Sequence, residues 1–172
     1  MTDLIPAWVD GTLMPVEKLR VHREGLRHKA VSVFVNVGGE TLIQKRAAEK
    51  YHTPGLWANA CCTHPHWEET PDDCARRRLR QELGLSPAAP FTHRGQVTYR
   101  ADVGQGLTEH ETVEIYIVDL PHPVTPRPDP AEVAETRWIV WDALEREIAD
   151  RPESFTPWLR IYLAEHRAIV AP

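Results

Sequence analysis

Apolar residues in the first part of the chain occur in short runs that are separated by turn residues. Residues 30–37 (AVSVFVNV) are rich in β-branched side chains and end at two glycines, after which the apolar pattern resumes over 41–46. This arrangement predicts a hairpin of two strands joined by a glycine turn. Residues 57–64 (WANACCTH) predict a further extended segment that ends at a proline.

The apolar pattern takes a helical period after residue 70. Apolar side chains recur every four residues at Ala75, Leu79 and Leu83, which gives one apolar stripe. Thr70 can cap the first turn, Pro71 suits the first helical position and Gly84 suits the end. The sequence therefore predicts a helix between Pro71 and Gly84. Its opposite face carries Arg76, Arg77 and Arg80.

The second half of the chain mixes further strands with helices. Strands are predicted over residues 95–103, 111–120 and 133–141, with a loop of proline and acidic residues over 121–131. Asp142 is expected to cap a helix over 143–149, and a final helix is expected over 155–170. Because strands and helices do not alternate regularly, the pattern indicates an α+β class with α/β/α layers.

Composition narrows the class of protein. The chain has 172 residues, which suits one domain over 1–172. Charged residues at 26% together with hydrophobic residues at 42% exclude a disordered or collagen-like chain. The net charge of -5 disfavours bulk nucleic-acid binding, and no apolar run is long enough to span a membrane. Residues 1–6 lack the regions of a signal peptide. With an odd number of cysteines, we expect free thiols in a reducing cytoplasm.

Histidine and carboxylate side chains form the first group that could carry chemistry. Residues two apart in a strand share a face, so Glu109 and Glu111 point together toward the apolar face of their strand. A carboxylate directed at a core is costly unless it is paired or binds a metal. The further candidates are Cys62 and His64, which also lie two apart, and His22 and His28. Such a set suits a divalent metal such as zinc, manganese or iron.

The alternative interpretation of these residues stays open. A single histidine on a strand is more often a hydrogen-bonded residue than a ligand, and the Cys62-x-His64 spacing lacks the paired cysteines of a structural zinc site.

Basic residues form a second group with two open interpretations. Lys45, Arg46 and Lys50 precede a Pro-Gly turn, and Arg76, Arg77, Arg78 and Arg80 lie on the predicted helix. They either form a solvated charged face or clamp a phosphate group, and charge alone does not decide between the two.

The predicted helix also carries a motif. Residues 77–85 (RRLRQELGL) resemble the second half of the Nudix box, and Glu69 falls where that box has a glutamate. Arg78 and Gln81 replace two of the metal-binding glutamates of the box, and Thr63 replaces its leading glycine. Nudix hydrolases need that carboxylate cluster to hold Mg²⁺ and activate water. The departures therefore favour a diphosphate-binding relative with other chemistry.

Several blocks of sequence together resemble the type 1 isopentenyl-diphosphate isomerases, which have a Nudix fold. The blocks follow the family's order within residues 4–165 and lie at 22–28, 57–65, 78–84, 99–101, 109–111 and 157–159. Each block alone is weak evidence of membership in this family, whereas the ordered set is highly specific for it. The resemblance implies a mixed sheet flanked by helices. It also implies a 1,3-allylic shift of a double bond that interconverts isopentenyl diphosphate and dimethylallyl diphosphate in isoprenoid biosynthesis.

The resemblance further implies catalytic roles. Cys62 and Glu111 would work on opposite sides of the isoprenoid, so that one carbon gains a proton and another loses one through a tertiary carbocation. Tyr99 would hydrogen-bond near the acid. Trp158 could offer a π face to the developing positive charge, and its alternative role as a core or lid aromatic stays open.

Metal and substrate residues follow from the same resemblance. One metal ion, manganese or zinc, would bind His22, His28, His64, Glu109 and Glu111. Glu82 would help to hold a Mg²⁺ ion that arrives with the diphosphate. Lys18, Arg46, Lys50 and Arg78 would grip the phosphates. The implied partner is a small-molecule diphosphate, with no nucleic acid or membrane, and a monomer is expected.

Rival functions remain open at this point. They are a Nudix hydrolase acting on a nucleoside diphosphate derivative, a non-catalytic metal- or diphosphate-binding module, and a hydrolase with Cys62 as nucleophile. Cys61 is expected to face away from the site and to be structural, and Cys74 is expected to pack. His52 and Thr53 stand where some family members have an aromatic residue, and we expect no consequence from this departure.

Overall fold

The computed structural model describes residues 3–171, so Met1, Thr2 and Pro172 of the predicted domain lie outside the described residues. Its strands are β1 (Leu4–Val9), β2 (Thr12–Glu17), β3 (His28–Val37), β4 (Glu40–Arg46), β5 (Trp57–Asn59), β6 (Cys61–Thr63), β7 (Thr92–Gly104), β8 (Leu107–Asp119) and β9 (Val133–Val140). Its helices are α1 (Lys18–Glu24), α2 (Pro71–Leu83), α3 (Trp141–Asp150), α4 (Pro157–Glu165) and α5 (Arg167–Val170), with a 3-10 turn at Pro152–Ser154. Within residues 3–171, no helix is long and apolar enough to cross a membrane.

The strands join in one mixed sheet around β3. Along one edge of β3, β8 runs parallel from the pair His28–Glu111 to the pair Asn36–Asp119, and β7 pairs antiparallel with β8. Along the other edge, β1, β6 and β4 pair with successive parts of β3. The predicted extended segment 57–64 is split, because β5 pairs with β4 whereas β6 pairs with β3.

Helices cover both faces of the sheet, which confirms the predicted α+β class with α/β/α layers. On one face, Leu79 of α2 packs in a buried cluster with Val33 of β3. On the other face, Leu144 of α3 and Tyr162 of α4 pack in a second cluster with Ile115 of β8. The sheet is therefore enclosed, and polar groups that reach its interior must find partners there.

The helix predicted between Pro71 and Gly84 is confirmed as α2. Thr70 Oγ1 accepts a hydrogen bond from the backbone N–H of Asp73 at 3.2 Å. Gly84 ends the helix with a φ of 66°, in the left-handed region that favours glycine. The helical period turns Glu82 inward on the side of β6, while Arg80 stays exposed.

Residues 4–24 form a hairpin and a helix that the apolar pattern does not predict. β1 and β2 pair antiparallel around a two-residue Asp-Gly turn, with Pro6 opposite Pro15. Proline is rare inside strands and is tolerated at sheet edges, so these prolines hide the strand pattern. α1 begins after Glu17, whose carboxylate accepts hydrogen bonds from the backbone N–H groups of the first turn.

The helix predicted over 143–149 is confirmed within α3, but its predicted cap and the continuity of the final helix are wrong. α3 begins at Trp141, and the residue before it makes no side-chain capping bond, so Asp142 is not the cap. The predicted final helix 155–170 is interrupted at His166, whose φ of -131° is not helical. The break separates α4 from α5, and α4 starts at a proline, which suits a first helical position.

Candidate active site

Three histidines and a glutamate from different parts of the sequence meet at the start of β3. His22 lies in α1, His28 begins β3, His64 follows β6 and Glu109 lies on β8. Glu109 Oε2 lies 3.2 Å from Nε2 of both His22 and His28, and 3.9 Å from Nε2 of His64. All four side chains are buried, and one donor atom from each lies within 4.8 Å of the others.

Backbone contacts decide which histidine nitrogens face this cluster. Nδ1 of His22 lies 2.6 Å from the carbonyl oxygen of Lys18, and Nδ1 of His28 lies 2.8 Å from that of Leu26. Because a carbonyl oxygen only accepts, Nδ1 carries the hydrogen in each neutral ring and Nε2 presents a lone pair. Nε2 of His22 has no hydrogen-bond partner among residues 3–171. Buried lone pairs beside a carboxylate fit a divalent metal ion, because a cation relieves their repulsion.

Glu111 contacts this cluster through one oxygen and Tyr99 through the other. Its Oε1 lies 2.9 Å from Nε2 of His64 and 3.7 Å from Nε2 of His28. Its Oε2 accepts a hydrogen bond from the Tyr99 hydroxyl at 2.5 Å. Burial and the neighbouring Glu109 carboxylate raise the pKa of Glu111 to about 8. By contrast, although burial would raise the pKa of Glu109, the imidazoles around it hold that pKa well below its usual value.

Cys62 reaches the site from β6. It stands directly opposite Ser32 in the pairing of β6 with β3, so the two side chains share one face of the sheet. Burial, together with the charge of Glu111, raises the pKa of the Cys62 thiol well above its usual value. Cys61 and Cys74 pack in the buried cluster between α2 and the sheet, so Cys61 faces away from the site and Cys74 packs, as expected.

One cleft joins these groups to the predicted phosphate-binding residues. It spans about 480 Å³ of space, part of which is open to solvent. Ten of the predicted site residues line it: Lys18, Arg46, Lys50, Cys62, His64, Arg78, Glu82, Glu109, Glu111 and Trp158. Behind this lining, His22 and His28 contact Glu109, and Tyr99 contacts Glu111. The structure therefore brings together all the residues that the sequence analysis proposed for the site.

The carboxylates of Glu82 and Glu132 contact the basic residues Lys50 and Arg78 at one end of the cleft, which we call its basic end. Arg78 Nη2 donates to Glu82 Oε1 at 2.7 Å and lies 3.3 Å from Glu132 Oε1. Lys50 donates to Glu132 Oε2 at 2.6 Å. Gln44 donates to the other oxygen of Glu82 at 2.9 Å. Glu132 thus holds two cations side by side, although the sequence analysis did not identify it as a site residue.

The turn after Lys50 contributes a histidine that the sequence analysis missed. Arg46 donates from Nη2 to the carbonyl of His52 at 3.1 Å and from Nε to the carbonyl of Thr53 at 3.2 Å. His52 Nε2 lies 3.1 Å from Glu109 Oε1. The only local signal was a histidine next to basic residues and a Pro-Gly turn. Its partner, Glu109, is far away in sequence, so the pairing is visible only in the folded chain.

The fold has counterparts among solved structures. A crystal structure of a Deinococcus radiodurans protein has a TM-score of 0.74, 16% identity, and coverage of 94% of this chain and 96% of its own. A MutT NUDIX hydrolase from Burkholderia pseudomallei has a TM-score of 0.62, 20% identity, and coverage of 81% of this chain and 98% of its own. The NUDIX domain family model matches residues 26–159. Together these matches define a NUDIX-class protein.

Much closer relatives carry one shared name. The isopentenyl-diphosphate Delta-isomerase of Dinoroseobacter shibae is 60% identical over 166 residues, which cover 96% of this chain and 94% of the relative. The protein of that name from Rhodobacter capsulatus is 56% identical over 170 residues, which cover 99% of this chain and 96% of the relative. The chain therefore belongs to the isopentenyl-diphosphate Delta-isomerase family, as the ordered sequence blocks predicted.

Proposed function

We propose that the chain interconverts isopentenyl diphosphate and dimethylallyl diphosphate by protonation and deprotonation, in isoprenoid biosynthesis. The names of its relatives support this function. The structural observation that carries it is the presence of the Cys62 thiol and the Glu111 carboxylate in one cleft, with Tyr99 bonded to Glu111. A module that only binds metal or diphosphate would not require two proton-carrying groups there.

The chemistry of the two groups suits this reaction. An isolated alkene is a weak base, so its protonation needs an aligned acid in a site that excludes water, which would trap the carbocation. The Cys62 thiol retains its proton because burial raises its pKa. Glu111, with a pKa of about 8, can hold or release a proton near neutral pH. We assign the two groups to opposite sides of the five-carbon chain, one adding a proton and the other removing one.

We propose that one Mn²⁺ or Zn²⁺ ion binds the histidine and glutamate cluster of the site. Its ligands would be His22, His28, His64, Glu109 and Glu111. When bound, such an ion supplies positive charge that neutralises the carboxylates and favours their ionised forms. The backbone carbonyls of Lys18 and Leu26 orient two of the imidazoles for this role.

The basic end of the cleft suits the diphosphate. Lys18, Lys50 and Arg78 provide positive groups there, and we assign Glu82, the α2 carboxylate of the cleft, to a Mg²⁺ ion that arrives with the phosphates. Arg46 lines the same wall but also holds the turn through two backbone carbonyls. The diphosphate does not react, so its binding energy would serve to anchor the hydrocarbon beside Cys62 and Glu111.

Trp158 is proposed to face the developing positive charge. It is 2% exposed, lines the cleft, and lies within 5.3 Å of the Arg46 guanidinium and 6.0 Å of the His52 ring. An indole face can stabilise a desolvated cation by about 2 kcal/mol. The same contacts also make Trp158 part of the packed cleft wall.

Contacts around α2 disfavour Nudix hydrolysis. Glu69, which falls at a glutamate position of the Nudix box, is bonded to Arg77 at 2.6 and 2.7 Å and does not line the cleft. Glu82 is then the α2 carboxylate that remains in the cleft. Nudix hydrolysis would need several carboxylates there to hold Mg²⁺ ions. A Cys62 nucleophile is disfavoured because its candidate base, His64, would be taken up as a ligand of the proposed metal ion.

The decisive experiment follows isopentenyl diphosphate by NMR in D₂O with the purified chain. Appearance of the dimethylallyl product, with deuterium incorporated, would support the proposal. Phosphate release from nucleoside diphosphate derivatives without isomerisation would support the hydrolase instead. Binding of the diphosphate with no chemical change would support the binding module, and either result would overturn the proposed function.

We also propose that the chain acts as a single domain and a monomer in the cytoplasm, on a small-molecule substrate alone. The net charge of -5 gives no basis for binding nucleic acid or an acidic membrane surface. Sedimentation equilibrium giving the mass of one chain would support the monomer, and a stable dimer would contradict it.

A further inference from the structure

Thr53 has an unusual backbone conformation beside the site. Its φ is 45°, in the left-handed region that β-branched residues rarely adopt. The residue is buried, and Arg46 binds its carbonyl oxygen as well as that of His52. Strain of this kind persists only where surrounding contacts enforce it, and it concentrates at functional sites.

The Glu109 carboxylate fixes the hydrogen position on the His52 imidazole, and the Thr53 hydroxyl contacts the other ring nitrogen. Thr53 Oγ1 lies 3.1 Å from Nδ1 of His52, and Nε2 of His52 lies 3.1 Å from Oε1 of Glu109. An ionised carboxylate only accepts, so Nε2 must carry the hydrogen that faces Glu109. In a neutral ring, Nδ1 is then the acceptor, and the Thr53 hydroxyl donates to it. Thr53 therefore donates a hydrogen bond to His52, and His52 in turn donates one to Glu109.

The two oxygens of Glu109 consequently face different partners. Oε2 lies 3.2 Å from Nε2 of both His22 and His28, whereas Oε1 is occupied by His52. His52 is held in place by ring contacts with Tyr51 at 4.4 Å and with His22 at 5.6 Å. One oxygen is thereby kept for the histidine cluster, and the carboxylate cannot rotate without losing the His52 bond.

We propose that Thr53 and His52 are positioning residues that orient Glu109 as a ligand through Oε2 and thereby set the divalent-metal affinity of the site. This inference rests on the metal site of the proposed function. Removing a residue that hydrogen-bonds to a metal ligand typically lowers the metal affinity by about 10- to 100-fold. The strained backbone of Thr53 is then the cost of placing its hydroxyl against His52.

Mn²⁺ binding to the metal-stripped chain, measured by competition with a chelator, tests the proposal. Thr53→Val retains the branched shape and removes the hydroxyl, whereas Thr53→Ser retains the hydroxyl. We expect Thr53→Val and His52→Phe each to weaken Mn²⁺ binding about 10- to 100-fold, and Thr53→Ser to bind like the parent. Combining Thr53→Val with His52→Phe should add little, because the two residues act in one chain of hydrogen bonds.

A matched control uses a histidine outside the cleft. His93 is exposed and contacts Glu114, so His93→Phe should leave Mn²⁺ binding unchanged. Parent-like binding by Thr53→Val and His52→Phe would overturn the proposal. Equal losses in Thr53→Val and Thr53→Ser would overturn it as well, because they would assign the effect to packing.

A measurement on the unmutated chain removes any dependence on how the variants fold. Nitrogen-15 NMR of the Zn²⁺-loaded chain should find His52 protonated at Nε2, and a ring protonated only at Nδ1 would overturn the proposal. The isomerisation assay separates the two claims. A chain that binds Mn²⁺ through this network but never isomerises refutes the proposed function alone, and an active chain whose Thr53→Val variant keeps full Mn²⁺ affinity refutes the positioning role alone.

Discussion

Tyr99 and Glu111 stand directly opposite each other on β7 and β8, and the Tyr99 hydroxyl donates a hydrogen bond to Glu111 Oε2. The other oxygen of Glu111 faces His64. Antiparallel pairing fixes both residues on the buried face, so the carboxylate is held between a phenol and an imidazole. This arrangement fixes the orientation of the carboxylate that we propose as one of the two proton-transfer groups.

Tyr99→Phe should lower kcat about 10- to 100-fold, which is the rate equivalent of losing one hydrogen bond to a charged group. KM should change little, because Tyr99 lies behind the cleft and contacts Glu111 instead of the diphosphate groups. Steady-state kinetics with isopentenyl diphosphate provides the measurement. A rise in KM at constant kcat would assign Tyr99 to substrate binding.

Cys62→Ala and Glu111→Gln should each lose at least about 10²- to 10⁴-fold in turnover, as expected when a general acid or base is removed. Both variants should still bind inorganic pyrophosphate, since the basic end of the cleft is unchanged. The two measurements are the isomerisation rate and calorimetric titration with pyrophosphate. If either variant isomerises at the parent rate, the role assigned to that residue is wrong.

The helix and the paired carboxylates were predictable because their signals are local. Thr70, Pro71 and Gly84 mark the ends of α2 within a single stretch of sequence, and each acts there as its chemistry dictates. Glu109 and Glu111 share a buried face because strands have a period of two residues. Such features need no knowledge of distant parts of the chain.

The sequence analysis did not predict His52 and Glu132 as site residues, because the residues that they contact are distant in sequence. His52, in the turn after β4, contacts Glu109 on β8. Glu132, in the loop before β9, contacts Lys50 and Arg78. Neither residue has a periodic or motif signal of its own. Residue chemistry alone proposed the metal and phosphate residues as candidates with other interpretations open, and the family resemblance joined them into one site, since no local spacing does so.

Treatment with a strong chelator should abolish isomerisation, and Mn²⁺ or Zn²⁺ should restore it. The reason is that His22, His28 and Glu109 are buried together, and without a cation their lone pairs and charge oppose one another. The metal-stripped chain should also melt at a lower temperature, because an ion that binds only the folded state stabilises it by mass action. Full activity in a preparation free of metal by elemental analysis would contradict the proposed histidine and glutamate site.

Gly84→Ala should destabilise the chain by about 1–3 kcal/mol, because a side chain at positive φ is strained and an added atom would also clash. A Cβ at Gly84 would lie 2.8 Å from the carbonyl oxygen of Arg127. Gly38→Ala is the matched control, since Gly38 has a φ of 53° and open space around it. Urea unfolding should find a larger loss at Gly84 than at Gly38, and equal losses would show that the contact with Arg127 is unimportant.

Glu132→Gln should tighten the binding of inorganic pyrophosphate about fivefold, since a partly exposed ion pair is worth ~1 kcal/mol. Glu132 lies 2.6 Å from Lys50 and 3.3 Å from Arg78, so its charge competes with an incoming diphosphate for the same two cations. Inhibition by pyrophosphate at several salt concentrations gives the measurement, and the gain should shrink as salt rises. Glu135→Gln, which removes an equal charge from an exposed position on β9, is the control and should have no such effect. Weaker binding in Glu132→Gln would show instead that Glu132 holds Lys50 and Arg78 in the positions that the diphosphate needs.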